Sequence, residues 1–365
     1  MALDPGTYLF LAELFMAVAA FIYQEVKDPK FFVKRDLLDY RIAEQLRNYR
    51  GEETIEESIP YSELVSWLRP TIEESQASAL ATVIRVLDDD HFLDESDFFT
   101  AFRGQALDMM RKMKKYHFDS AIVRIPRAQH VEGVATIEYQ HATYSQQAGT
   151  NLVLDWSSAQ HALRTMGKKM TLRAMLLDPE HKLPPLDTPY LANTLGVACI
   201  LLYREAGEWL PYLPRRAKKK VAVFEGGFHC TASAVCPWPE TTANSLADLA
   251  AKPMKQALWK EMRIPADHVT ALQPAALCRE FTRGGKPQIF FVGTTDLSRD
   301  DLEEAQRDAI VHAGGKLLPV QLLRKSLAVP SLEELLANMH SMGLTLEAVA
   351  NLQYVKPFLD ALVNG

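Results

Sequence analysis

The order of elements between residues 194 and 294 constrains this chain more than any other feature of its sequence. Thr194 to Arg204 (TLGVACILLYR) is a continuous apolar strand, Glu205-Ala206-Gly207-Glu208 a turn, and Trp209 to Leu213 a second strand. That strand ends in Pro214-Arg215-Arg216-Ala217-Lys218-Lys219-Lys220, and a third strand, Val221 to Phe224, runs into Glu225-Gly226-Gly227-Phe228-His229 and then Thr231-Ala232-Ser233-Ala234. An irregular loop follows, then a helix over Pro253 to Met262, then Ile264-Pro265-Ala266-Asp267-His268-Val269 and two further strands, Ala271 to Phe281 and Pro287 to Thr294. Strand, strand, strand, loop, helix, strand, strand is an α+β or α/β arrangement. The proline-rich stretch Pro179 to Pro189 in front of it is the best linker in the chain.

Upstream the patterning differs. Tyr8 to Tyr23 (YLFLAELFMAVAAFIY) is apolar but for Glu13, shorter than the ~20 residues a bilayer core requires, and preceded by Asp4-Pro5, an N-cap and first-turn proline. It reads as a buried helix, with membrane association possible but not favoured, and a helix apolar on all sides must be covered by something. Phe31 to Tyr49, Tyr61 to Leu68, Ala77 to Leu87 and Phe98 to Met113 carry apolar residues at roughly helical spacing. Arg50 to Pro60 is an exposed connector, and Asp88-Asp89-Asp90 near Asp94, Glu95 and Asp97 is a solvated helix junction that lacks the glycine and final glutamate of a calcium loop. After Phe118, Ser120 to Ile125, Val134 to Tyr144 and Leu152 to Trp156 have strand composition, followed by a helix over Ser157 to Leu177. The expected organisation is a helical N-terminal domain (1–117), a β-containing middle segment and linker (118–188) and a third unit (189–365) whose end, Asp300 to Phe358, is helical with caps at Ser298, Ser331 and Thr345.

Composition bounds the partners. With 365 residues, 48% hydrophobic and 24% charged, the chain can bury one large core or two ordinary ones, and its net charge of −6 offers no whole-chain attraction for nucleic acid or anionic membrane, which leaves only a local basic patch. No nucleic acid is expected on that ground. Cys199, Cys230, Cys236 and Cys278 lack the spacing of zinc ribbons or redox motifs and read as reduced core thiols, which with no secretory signal in view places the chain in the cytoplasm. There is no serine nucleophile elbow, no His-Glu-x-x-His and no phosphate loop.

From about Leu191 to Val311 the chain resembles the Nudix superfamily, a mixed sheet flanked by helices. Four stretches carry the likeness: LGVACILLYREAGEWLPYLPRR, GGFHCTASA, MKQALWKEMRIPADHV and GGKPQIFFVGTT. The family's helix box, Arg-Glu-hydrophobic-x-Glu-Glu-x-Gly-hydrophobic, falls on Gln256, Ala257, Leu258, Trp259, Lys260, Glu261, Met262, Arg263 and Ile264, with Thr242 and Asp248 at the upstream glycine and glutamate positions. In the family these glutamates gather magnesium, a hard ion that takes oxygen ligands, against a pyrophosphate. Here Glu261 alone survives, beside Lys260.

The resemblance therefore implies a nucleotide-sensing or regulatory module without a cofactor. The alternatives are a magnesium-dependent pyrophosphohydrolase with displaced ligands Glu240, Asp248 and Glu261, or an interaction scaffold that binds no ligand. Ligand-binding candidates are Arg215, Arg216, Lys218, Lys220 and Lys260 for phosphate, Gly226 and Gly227 for close backbone approach, His229 for base or phosphate, and Trp238 for stacking on a base. The plain alternatives are a solvated hairpin tip, a turn, a satisfied histidine and a core anchor. A protein partner is expected through the helical N-terminal domain.

Overall fold

The structure, a computed structural model, describes residues 49, 53–56, 59–68, 81–88, 92–112, 119–156, 171–176, 182–216, 227–306, 311–313, 316–318, 322–329 and 331–364. The apolar segment Tyr8 to Tyr23, nearly all of Phe31 to Tyr49, most of Ser157 to Leu177, the strand expected at Val221 to Phe224, and Lys218, Lys220 and Gly226 lie outside them.

β-Branched residues decide the first two elements against the helical reading. Tyr61–Ser66 (β1) and Ala81–Leu87 (β2) are strands. Val83, Ile84, Val86 and Leu87 mimic helical spacing, but Thr82, Val83, Ile84 and Val86 are stiff at χ1 and suit a pleated surface better. Phe98 to Met113 does form a helix, Asp97–Lys112 (α1), so among the described residues the N-terminal third is not the helical domain its patterning suggests. Next come Ala121–Val131 (β3), Val134–Thr143 (β4) and the short helices Tyr144–Ala148 (α2) and Leu172–Leu176 (α3); Leu152 to Trp156 is a set of turns, not a strand.

The larger sheet follows the predicted order closely. Gly196–Glu205 (β5) and Glu208–Pro211 (β6) form a hairpin whose Ala206 and Gly207 have φ of 50° and 91°, the two left-handed positions of a tight turn. Pro214–Arg216 (β7) and Ala232–Val235 (β8) follow; β8 was expected only as the entry to a loop. The helix Lys252–Met262 (α4) grows out of a π turn, Ala247–Ala251, and Val269–Glu280 (β9) and Lys286–Thr295 (β10) complete the set. After Arg299–Ala305 (α5) the chain makes Val311–Ala313 (β11), Lys316–Leu318 (β12) and Leu322–Ser326 (β13), where only helices were expected. Leu332–Asn338 (α6), Leu346–Leu352 (α7) and Val355–Asn364 (α8) end it, and Ser298, Ser331 and Thr345 cap α5, α6 and α7 as their positions predict.

Six strands make a mixed sheet in the order β1-β9-β10-β5, with the outer edge of β5 shared between β8 and β6. β10 runs parallel to β5 and antiparallel to β9. β10 is buried along its whole length and β5 over its first eight residues, as strands covered on both faces must be. Helices α4 and α7 pack on this sheet. A smaller sheet, β2-β4-β3, joins the same hydrophobic core, and β1, from outside the segment 189–365, is an edge of the larger one. All four cysteines are buried free thiols. No helix among the described residues is long and apolar enough to cross a membrane.

Candidate functional site

Apolar strands with an isolated polar residue bring side chains to one place only where register demands it, and here four elements do so. Arg216 ends β7, held by its own N–H on the Gly227 carbonyl at 2.9 Å; Ser233 lies on β8, Glu261 near the end of α4 and Glu347 in the first turn of α7. Ser233 joins the two carboxylates. Its backbone N–H donates to Glu261 Oε2 at 3.1 Å, and its hydroxyl donates to Glu347 Oε1 at 2.6 Å, which also accepts from Gln288 Nε2 at 3.3 Å.

His229 fixes the arginine. Arg216 Nη1 can only donate, so His229 Nε2, 3.2 Å away, is an acceptor, and Nδ1 carries the proton it gives to Thr345 Oγ1 at 2.7 Å. Burial, reinforced by the charges of Arg216 and Arg283, holds this imidazole well below the usual histidine range and therefore neutral. Its Nε2 stands 3.9 Å from Glu347 Oε2, a contact that carries no ion pair in that state. Thr345 serves twice, since its hydroxyl also caps α7 and its N–H donates to the Phe228 carbonyl at 2.7 Å.

The charges are unevenly satisfied. Burial pushes the Glu261 carboxyl up to about 7, against the lowering effect of the Ser233 N–H and Arg216, with Glu347 raising it further. Burial lowers Arg216 while Glu347 and Glu261 oppose it, so the guanidinium stays charged. Arg216 Nε is buried without a partner among the described residues. Deeper in the same network, burial and the charge of Arg283 bring Lys286 down to about 8. Lys286 and Gln288 fit only because residue 196 is glycine: a Cβ there would stand 1.9 Å from Gln288 Oε1 and 2.6 Å from Lys286 Nζ.

Of the residues predicted from sequence, Arg216, His229 and Glu261 come together, and Gly227 supports them by accepting the Arg216 N–H and seating against Thr345, 3.2 Å from where a Cβ would be. Arg215 instead lies over the Phe228 ring at 5.8 Å. Trp238 packs on Tyr139 and His141, with centroids 5.5 and 5.2 Å away, and anchors the loop to the small sheet. Lys260 is exposed, as are Glu240 and Asp248, and the Asp248 carboxylate accepts the Ser245 hydroxyl at 2.7 Å. Ser233, Gln288 and Glu347 escaped the sequence reading as site residues, and Thr345 was read there only as a helix cap. The signal of Ser233 and Gln288 was polarity inside otherwise apolar elements, as at Gln288 in QIFFVG.

Two further positions of the helix stand apart from this cluster. Ala257 is buried with nothing to coordinate, and Arg263, at the glycine position, has φ of 55°, the left-handed conformation of a helix C-terminus. Both carboxylates of this cluster are engaged, Glu261 by the Ser233 N–H beside the Arg216 guanidinium and Glu347 by the Ser233 hydroxyl and Gln288, and among the described residues no three His, Cys, Asp or Glu side chains converge as a metal site. Ser233 gives its proton to a carboxylate and not to an imidazole, so it is not paired as a hydrolase nucleophile.

No protein-family model matches the chain, and no curated protein matches it. Among solved structures it is similar to the NUDIX domain of Shewanella oneidensis NrtR complexed with ADP ribose, at 13% identity and a TM-score of 0.29, over 46% of this chain and 88% of that one. It is also similar to RenU, a Nudix hydrolase from M. smegmatis, at 10% identity and a TM-score of 0.28, over 47% and 88%. A mutT/nudix family protein from Listeria innocua matches at 13% identity and a TM-score of 0.28, over 47% and 94%. At such scores these likenesses carry no argument about the site, which stands on the chain's own geometry.

Proposed function

We propose that this chain is a nucleotide-binding regulatory protein whose Nudix-like domain recognises a phosphorylated ligand without a metal ion. The observation that carries this reading is Arg216: a charged guanidinium tethered to a neutral histidine through one amino group, its Nε buried and unpartnered among the described residues. A buried donor of that kind costs free energy until something accepts from it, and phosphate oxygens match guanidinium geometry. Glu261 takes the place of a metal ligand but acts oppositely. Its carboxyl titrates at about 7, so proton uptake removes the negative charge that would repel an anion beside Arg216.

The test is a thermal-shift screen over nucleoside phosphates, run with magnesium and with a chelator. The reading expects one nucleotide class to raise the melting temperature equally in both, and Arg216→Ala to abolish that rise. Magnesium-dependent release of phosphate or a nucleoside monophosphate from the same nucleotides would establish a hydrolase instead. Absence of any stabilisation would leave an interaction scaffold.

A further inference from the structure

The outward side of α4 differs from its inward side in every residue. Lys252, Lys255, Gln256, Trp259, Lys260 and Arg263 fall at helical spacing on one stripe, and all but the half-buried Arg263 are exposed. The stripe holds four cations and no carboxylate, because Glu261 turns in toward Ser233. None of the three lysines has an ion-pair partner among the described residues. The nearest upstream acid, Asp248, is occupied by the Ser245 hydroxyl.

At the centre stands Trp259, 49% exposed, while the other large exposed hydrophobics among the described residues are scattered aliphatic side chains, Val83, Val131 and Leu362. Arg263 leans over its indole at 5.2 Å. That arginine occupies a left-handed position, φ of 55°, where glycine would be free of strain. The chain thus holds a strained backbone whose side chain supplies a cation to an exposed ring.

We propose that this stripe binds single-stranded nucleic acid, with Trp259 stacking on a base and Lys252, Lys255, Lys260 and Arg263 contacting phosphates. Charge complementarity calls for a polyanion, and the composition selects among polyanions. Protein interfaces are enriched in Trp and Arg but depleted in Lys, which three of these six residues are. An interfacial membrane helix needs a broad apolar face, and here one ring stands among lysines and a glutamine. An aromatic ring beside a track of cations is what sequence-tolerant single-strand binding uses. The net charge of −6 bears on the whole chain and leaves a local patch of opposite sign intact.

The test is fluorescence anisotropy of the full chain with a labelled oligothymidylate of about twelve nucleotides, a length within the span of one single-strand site. Three to four phosphate contacts predict an affinity that falls about 20- to 50-fold between about 50 and 200 mM salt. Trp259→Ala should weaken binding about tenfold, Trp259→Phe should keep most of it, and Lys255→Glu with Lys260→Glu should remove it, all with an unchanged circular dichroism spectrum. Equal affinity for a duplex of the same length, equal competition by polyglutamate, preference for phosphatidylserine vesicles, or indifference to these substitutions would each overturn the proposal. Arg216→Ala should leave oligonucleotide binding unchanged, which separates this surface from the nucleotide site.

Discussion

Two arginines at the edges of this core make opposite use of the same side chain. Arg173 is saturated: it grips Asp155 through Nε at 2.6 Å and Nη2 at 2.9 Å, and donates also to Tyr49 Oη and to the carbonyls of Phe281 and Thr282. Arg216 makes one contact to a neutral ring and keeps an unpaired Nε. A buried cation with every donor used can only hold its surroundings together, whereas one with donors in hand can exchange them for a ligand.

The contrast breaks most sharply at Arg173. Arg173→Met should destabilise the fold by about 3–5 kcal/mol in urea unfolding, since it strands Asp155 and two buried carbonyls, with no change in ligand response at temperatures where it stays folded. Should it cost under about 1 kcal/mol, saturation is not the mark of a structural arginine. Gly196→Ala should cost about 1–3 kcal/mol by crowding Lys286 and Gln288, and should weaken the ligand response through loss of the Gln288 support of Glu347. Arg216→Ala should change stability by no more than about 1 kcal/mol near pH 6, because it relieves an unsatisfied donor while Glu261 takes up a proton. It should nonetheless erase the nucleotide-dependent shift.

The smallest effect concerns Glu261. Its folded carboxyl titrates at about 7 against an ordinary value of 4.5, so the folded protein keeps a proton that the unfolded chain has lost. Stability therefore falls as pH rises through that window and levels off above it. Glu261→Gln should flatten this dependence, and should also remove a matching loss of ligand affinity between pH 6 and pH 8, both readable by thermal shift across a pH series. An unaltered profile in the variant would show that another group sets it.

The sequence revealed the centre of the molecule better than its margins. β5, β9, β10 and α4 were legible because long apolar runs, a helix-ending Ile-Pro turn and a Gly-containing hairpin leave few alternatives. β1 and β2 were misread because six or seven residues fit both periodicities, and pairing with β9 and β4 decided between them. β11 to β13 were lost among correct helix caps. At the site, Arg216, His229 and Glu261 were visible through their chemistry, but Glu347 joins Ser233 across 114 residues of chain, and no local pattern reports such a meeting.

The short strand Tyr61–Ser66 covers the edge of β9 from Ala276 to Glu280, a stretch whose side chains are all buried. A fragment cut at the proline-rich connector would therefore leave a row of bare amide and carbonyl groups beside Ala276, Leu277 and Cys278, an invitation to self-association. Anyone wishing to isolate the sheet as a soluble piece must carry the chain back past Ile59, or expect material that precipitates for reasons unrelated to its ligand.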